Sequence, residues 1–349
     1  MMVTVPNVPH ERICTMFEEF SRHSLAVYGA YRDDDAKIMQ STSGGVAAAL
    51  TDRMLSLGGY VAGVAYKADF SGAEYVVTNS PEVAARFKGS KYIDCDRKTV
   101  YGDVQKLLDD GQKVLFFGLP CTVAALYHKL GGRPENLVTC ELICHGPTYA
   151  KVHEDYVARL TRKYRSRLTA FSVRHKKDGW KPPYLRAEFE NGRVFEKPFY
   201  ETEYGYAFAM LAKESCYRCR FKGNDRQGDL MIGDFWGITE KDECWNACGV
   251  SSVFVHTQHG ADFLRSVPDI RLYESTFEKA VMNNPMVIKS RDKDPQRDDF
   301  AELLAQKGLF HAVKRTLGIS RRCKQALKKL LPASLKPLVI QLYHRIRGH

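Results

Sequence analysis

The stretch Val114-Leu-Phe-Phe-Gly-Leu-Pro-Cys121-Thr-Val-Ala-Ala-Leu-Tyr-His-Lys-Leu130, followed by Leu137-Val-Thr-Cys-Glu-Leu-Ile-Cys144-His-Gly146, decides the fold. Residues 114–117 are an apolar run of strand length; Gly118 and Pro120 interrupt it, and 122–130 takes up helical spacing. Residues 137–143 form a second apolar run, so strand and helix alternate at the interval of an α/β layer. Each run leads to a thiol, Cys121 or Cys144. The carboxyl ends of parallel strands are where such sheets build their sites.

Upstream, Lys37-Ile-Met-Gln-Ser-Thr-Ser-Gly-Gly45 leads into Val46, Leu50, Met54 and Leu57 at helical spacing. Gly58-Gly59 stops that helix; 60–66 reads as a strand and 104–108 as a short helix. Downstream, a polar helix over about 149–164 precedes strand-like 171–175 and 185–195, the latter folded at the hairpin signal Asn191-Gly192. A helix near 200–213 delivers Ser215-Cys-Tyr-Arg-Cys219, just ahead of the strand-like Asp229-Leu-Met-Ile-Gly-Asp-Phe-Trp-Gly237. The expected architecture is mixed α/β, α+β in its second half: a layered sheet with flanking helices and a basic helical tail. It divides into an N-terminal arm (1–25), an α/β region (26–165), a strand-rich region (166–290) and the tail (291–349).

A chain of 349 residues with 44% hydrophobic content suits one large or two medium domains. The N-terminus, Met-Met-Val-Thr-Val-Pro-Asn-Val-Pro-His, has neither the basic start nor the apolar core of a signal peptide. The ten cysteines are therefore read as reduced, cytosolic and available to metal. The best apolar stretch, 114–127, falls short of the roughly 20 residues a membrane span needs. Of the net charge of +11, ten positive charges lie in 310–349, which holds no Asp or Glu, leaving the body at +1. This excludes a globally basic nucleic-acid binder. In the tail, Leu327, Leu330, Leu331, Leu335 and Leu338 alternate with Lys and Arg, a pattern that suits the anionic inner membrane surface or a partner-docking helix.

Residues 41–45 offer hydroxyls, glycines and helix-opening N–H groups, which fit either a phosphate or simple capping. Lys88-Gly-Ser-Lys-Tyr92 is a second polar knot, and no dinucleotide fingerprint of the usual spacing occurs. Cys216 and Cys219 have the spacing of half a zinc site or a thioredoxin-like pair, yet no second Cys-x-x-Cys exists and the pair falls late in the chain. Four cysteines in such positions can also hold an iron–sulfur cluster. Cys140, four residues before Cys144 on the same strand, is the leading substitute ligand; Cys14, Cys95 and Cys323 read as core thiols. Cys244 and Cys248 form a further, labile pair, and His145 is positioned for proton transfer or a backbone hydrogen bond.

Taken in order, Ser43-Gly44-Gly45, Gly89-Ser90-Lys91-Tyr92, Phe117-Gly118-Leu119-Pro120-Cys121, Leu142-Ile143-Cys144-His145-Gly146, Asp178-Gly179-Trp180, Ser215-Cys216-Tyr217-Arg218-Cys219, Gly233-Asp234-Phe235-Trp236-Gly237 and Gly249-Val250-Ser251 resemble the beta subunit of the factor-420 (deazaflavin) hydrogenase and dehydrogenase family. The likeness runs from about Ser24 to Leu264. It implies an iron–sulfur flavoprotein oxidoreductase passing electrons between a 4Fe-4S cluster, FAD and a hydride-exchanging small molecule. By position, Cys121, Cys144, Cys216 and Cys219 would hold the cluster, with 166–290 completing its site. Ser43, Gly44, Gly45, Ser90, Lys91 and Gly118 would lie at the flavin, Lys91 balancing negative charge. His145 and Asp234 are the catalytic candidates, and Asp234 and Trp236 would shape the cavity wall. Longer relatives open with a ferredoxin module, whereas here only Cys14 precedes residue 43 and position 119 is Leu where Thr is usual. The electron donor is then expected to be an external ferredoxin or a redox partner subunit. The rival expectation is a non-catalytic electron-relay or scaffold subunit that docks through its tail.

Overall fold

The structure, a computed structural model, describes residues 24–223 and 226–317. The strands β1 (Ala26–Arg32), β2 (Tyr60–Tyr66), β3 (Ala73–Thr78), β4 (Val114–Gly118), β5 (Leu137–Leu142), β6 (Leu168–His175), β7 (Tyr184–Phe189), β8 (Val194–Pro198), β9 (Leu230–Asp234), β10 (Ser251–Val255) and β11 (Ile270–Glu274) form two sheets. The larger has the order β11-β1-β10-β9-β5-β4-β2-β3, and the smaller is the antiparallel β6-β7-β8. Within the large sheet β2, β4, β5 and β9 run parallel, flanked by antiparallel strands on both sides.

Side-chain alternation along the central strands builds the layers. Leu115 and Phe117 of β4, with Val138 and Cys140 of β5, face the helix α1 (Val46–Ser56), whose Val46, Ala49, Leu50 and Met54 recur at helical spacing. Val114, Phe116 and Leu137 face the opposite way, onto α2 (Val100–Asp109) and α3 (Pro120–Leu130). Both faces are apolar because both are covered, which is why these strands read as unbroken hydrophobic runs rather than as alternation. A second cluster joins β6–β8 to α4 (Ala150–Tyr164), α5 (Glu203–Met210), α8 (Arg297–Lys307) and α9 (Leu309–Thr316) through Phe171, Leu185, Tyr204, Phe300 and Leu309. Between α5 and α8 in the chain lie α6 (Gln258–Arg265) and α7 (Phe277–Val281), which cover the β9–β10 end of the large sheet.

The elements read from 46–66, 100–142 and 150–164 stand where the sequence puts them, within a few residues at each end. Four strands of the large sheet were not legible: β1, β3, β10 and β11. β1 pairs with β10 some 225 residues away, Ala26 opposite Val255 and Ala30 opposite Ser251. Residues 230–274 thereby complete the sheet begun at 26. One reading is corrected: Cys140 is no neighbour of Cys144 on a common strand face, since β5 ends at Leu142 and Cys140 is fully buried in the apolar layer under α1. Of the basic tail, only the part to Leu317 lies within the described residues; the expected amphipathic segment beyond it lies outside them. No helix among the described residues is long and apolar enough to cross a membrane.

Candidate functional site

The carboxyl ends of β4, β5 and β9, the opening of α1 and the loop 87–95 enclose a cavity of about 520 Å³. That is within the range of small-molecule and cofactor pockets. Ser43, Gly45, Ser90, Lys91 and Gly118 all line it, together with Cys144, His145, Asp234 and Trp236. Gly44 stands behind the wall. Its N–H donates to Ser251 Oγ at 3.0 Å, and a Cβ there would run into the Ala30 carbonyl oxygen and sit 2.8 Å from Ser251 N. Glycine is therefore needed for β1 and β10 to close on the turn. The Ser43 hydroxyl donates to Val250 O at 2.6 Å, tying the same turn to β10.

Lys91 does not hold its charge out toward the cavity. Its ammonium lies 2.9–3.1 Å from the carbonyl oxygens of Arg86, Phe87, Lys88 and Gly89, stapling the end of a short 3₁₀ turn. Desolvation pushes its pKa down to about 7. The opposite wall is built by two buried cations that the sequence reading passed over. Arg174, on β6, makes a double hydrogen bond to Asp234, 2.9 Å to each carboxylate oxygen, and also reaches the Tyr92 hydroxyl. The same Asp234 accepts from Trp180 Nε1 at 3.0 Å. Lys176, two residues along, donates to Ile38 O and Ser43 O, holding the α1 turn from behind. Arg174 near the end of a strand carrying Phe171 and Val173, with Lys176 just past that end, was the legible signal. Asn284, buried, donates to Asp234 O and also lines the cavity, and nothing in its sequence context marks it.

His145 is exposed only in the sense that its ring lines the cavity. Desolvation, with Lys222 and Arg291 nearby, pushes its pKa down to about 4, so the imidazole is neutral at pH 7. Asp234 is already engaged by Arg174 and Trp180, which makes it a wall and positioning residue.

The thiols gather beyond the cavity. Cys121 occupies the first turn of α3, after Pro120. Cys144 leaves β5, and Cys216 and Cys219 lie on a 3₁₀ turn over 214–218 and at its end. Gly146 sits between two of them: its N–H donates to Cys144 Sγ at 3.2 Å, and a Cβ on it would lie 3.4 Å from Cys216 Sγ. Burial pushes the Cys144 thiol up to about 11, and the charges of Cys121 and Cys216 push in the same direction. Cys216 is raised by burial and then by Cys219 and Cys121, and Cys121 is raised by burial with Cys219 contributing. Cys121, Cys144 and Cys216 are thus each raised by another thiol of the set, whereas Cys140 is raised by burial and then by Glu141 and Asp229, with no thiol contributing. Cys244 and Cys248 are free thiols among the described residues. No three His, Cys, Asp or Glu side chains among the described residues are drawn close enough to chelate a single metal ion as they stand.

Cations surround the thiols. Lys222 donates to the carbonyl oxygens of Cys144 and Met286, and Arg291 to those of Phe208 and Ala209. Neither is paired with a carboxylate among the described residues. Arg226 has one, Glu141, at 3.5 Å.

Residues 111–278 match the family described as the C terminus of the coenzyme F420 hydrogenase/dehydrogenase beta subunit. Through that stretch the chain is similar to the F420 hydrogenase beta-subunit family. The matched residues contain all four thiols, His145, Arg174, Lys222 and Asp234. The fold agrees. A chain of the xenon-derivatized F420-reducing [NiFe] hydrogenase complex from Methanosarcina barkeri superposes with a TM-score of 0.50 at 16% identity, covering 86% of this chain and 95% of that one. No curated protein matches the chain.

Proposed function

We propose that the chain is an iron–sulfur flavoprotein oxidoreductase, with a cluster held by Cys121, Cys144, Cys216 and Cys219 and a flavin, FAD, in the adjoining cavity. The observation that carries this reading is the charge around the thiols. Among the described residues, Lys222, Arg226 and Arg291 bring three positive charges to the thiols with only one of them, Arg226, ion-paired to a carboxylate, Glu141. Burying uncompensated cations is costly. Burial first, and neighbouring thiols after it, make Cys121, Cys144 and Cys216 resist ionising by themselves. Thiolates binding a metal core would supply the missing negative charge, and the core would relieve their mutual repulsion.

When bound, the two groups would supply one-electron storage at the cluster and one- or two-electron chemistry at the flavin. The chain's own residues do the rest. Cys144 belongs to both places, as a proposed ligand and as part of the cavity wall, so the path between them is short. The α1 turn and the loop stapled by Lys91 grip the cavity from two sides. Arg174 and Asp234 fix the far wall through their paired hydrogen bonds. His145, neutral and inside the cavity, offers one ring N–H to donate and one ring nitrogen to accept a hydrogen bond there. The likeness to that family supports electron transfer with a small-molecule hydride partner, and a separate ferredoxin or partner subunit as the electron donor.

Anaerobic purification, with iron, sulfide and flavin assays and an absorbance spectrum, tests the reading. Iron and sulfide near four each, with a flavin band, are expected. Replacing any one of Cys121, Cys144, Cys216 or Cys219 with Ser should strip or cripple the cluster, whereas Cys140→Ser should not. A colourless, stable protein would overturn the assignment in favour of a scaffold.

A further inference from the structure

The four-cysteine reading leaves one feature unexplained: why a lysine, rather than a neutral donor, lies against the Cys144 loop. Lys222 spans two segments, with its ammonium shared between the carbonyl oxygens of Cys144 and Met286. Two carbonyls can be bridged by an amide N–H₂ without the cost of burying a charge. Desolvation is the main influence on this amine, and the anionic influences that oppose it come from Cys144, Cys219 and Cys216. Arg291, on the far side, is likewise held by two carbonyls and feels Cys216 and Cys144. Arg226 is partly cancelled by Glu141. Lys222 is thus the cation whose charge is least committed elsewhere and most directed at the thiols.

We propose that Lys222 sets how readily the thiol-held cluster takes up an electron. Its buried positive charge, unmatched by a carboxylate, offsets the negative charge added on reduction and holds the midpoint potential up. The step is a one-electron reduction. A 4Fe-4S core with four thiolates goes from a net charge of −2 to −3, the electron coming from reduced flavin or a one-electron carrier protein, with no bond made or broken. A fixed cation stabilises the −3 state more than the −2 state, because the Coulomb energy scales with the charge it faces.

This inference rests on the four-cysteine reading, and the experiment separates the two. The reconstituted full-length protein and its Lys222→Met and Lys222→Arg variants are titrated anaerobically, with the reduced cluster followed by electron paramagnetic resonance. Met keeps the aliphatic stem and removes the charge; Arg keeps the charge and alters the shape. At a fixed ambient potential, Lys222→Met is expected to lower the reduced-to-oxidised ratio about tenfold, which for a one-electron couple is about 59 mV. Lys222→Arg should stay near wild type. A purely structural tie would disturb both variants alike and leave no such ordering. If Lys222→Met fails to retain iron, Arg291→Gln provides the second measurement, with a smaller shift in the same direction. Equal potentials in wild type and the charge-deleted variant, with iron retained, would overturn the inference and leave the cluster reading standing. Absence of iron from the wild type would overturn both.

Discussion

Removing the Asp234 carboxylate should cost this protein far more than the loss of a hydrogen bond. Asp234 and Arg174 are nearly enclosed, with side-chain exposures of 14% and 7%, and they meet through two 2.9 Å contacts. Without the carboxylate, Arg174 keeps only the Tyr92 hydroxyl, the Thr42 carbonyl at 3.5 Å and the face of Trp236. None of these carries a negative charge. Breaking one side of a buried pair costs about 3–5 kcal/mol, because the remaining charge is stranded. The Trp180 Nε1–H also loses its acceptor, adding roughly 1–3 kcal/mol if no water replaces it. Asp234→Ala is therefore expected to lower stability by about 4 kcal/mol or more and the melting temperature by on the order of 10 °C. The assay is equilibrium urea denaturation of Asp234→Ala and, as a four-protein cycle, of wild type, Asp234→Leu, Arg174→Met and the double variant. Because the cost is stranded charge, the double variant should recover much of what Asp234→Leu loses, giving a strongly non-additive cycle. Additive losses across the four proteins, or a loss below about 1 kcal/mol for Asp234→Ala, would refute the reasoning.

Gly44→Ala should destabilise by roughly 1–3 kcal/mol or more, as backbone on both sides must move, and calorimetry would show it. Gly102→Ala, exposed inside α2 with no atom within 4 Å of the added Cβ, should instead stabilise by about 0.5–1 kcal/mol in the same measurement. Lys91→Met should loosen the 86–91 loop and weaken flavin retention through lost carbonyl contacts, so its flavin dissociation constant should rise without any change in iron content. Burial pushes His153 from its ordinary 6.5 down to about 4. The unfolded chain takes up that proton first, so this part of the stability is full above pH 6.5 and is lost as the pH falls toward 4. It amounts to about 3 kcal/mol, and the pH slope of unfolding should be shallower in His153→Gln over that window.

The layer order of the core was legible where the decisive contacts are local. The runs at 114–117 and 137–143 and the helix between them follow from chain-local periodicity, and the parallel pairing of β4 with β5 follows from the helical crossover that joins them. The positions of Cys121 and Cys144 beyond those strands were legible for the same reason. By itself the sequence determined an α/β layer, thiols gathered after strands and a near-neutral body with a basic tail. Only the tertiary structure decided what those residues face. Lys91 looked like a free cation until the chain folded four carbonyls around it. Cys140 looked like a ligand until the end of β5 at Leu142 separated it from Cys144 and α1 covered it. The sequence reading singled out neither Arg174 nor Lys222, which a second sheet and the loop after Cys219 carry inward. Local pattern reports which backbone state a segment favours, but the surroundings of a charge depend on partners tens to hundreds of residues away, and burial is what decides the energy of a charge.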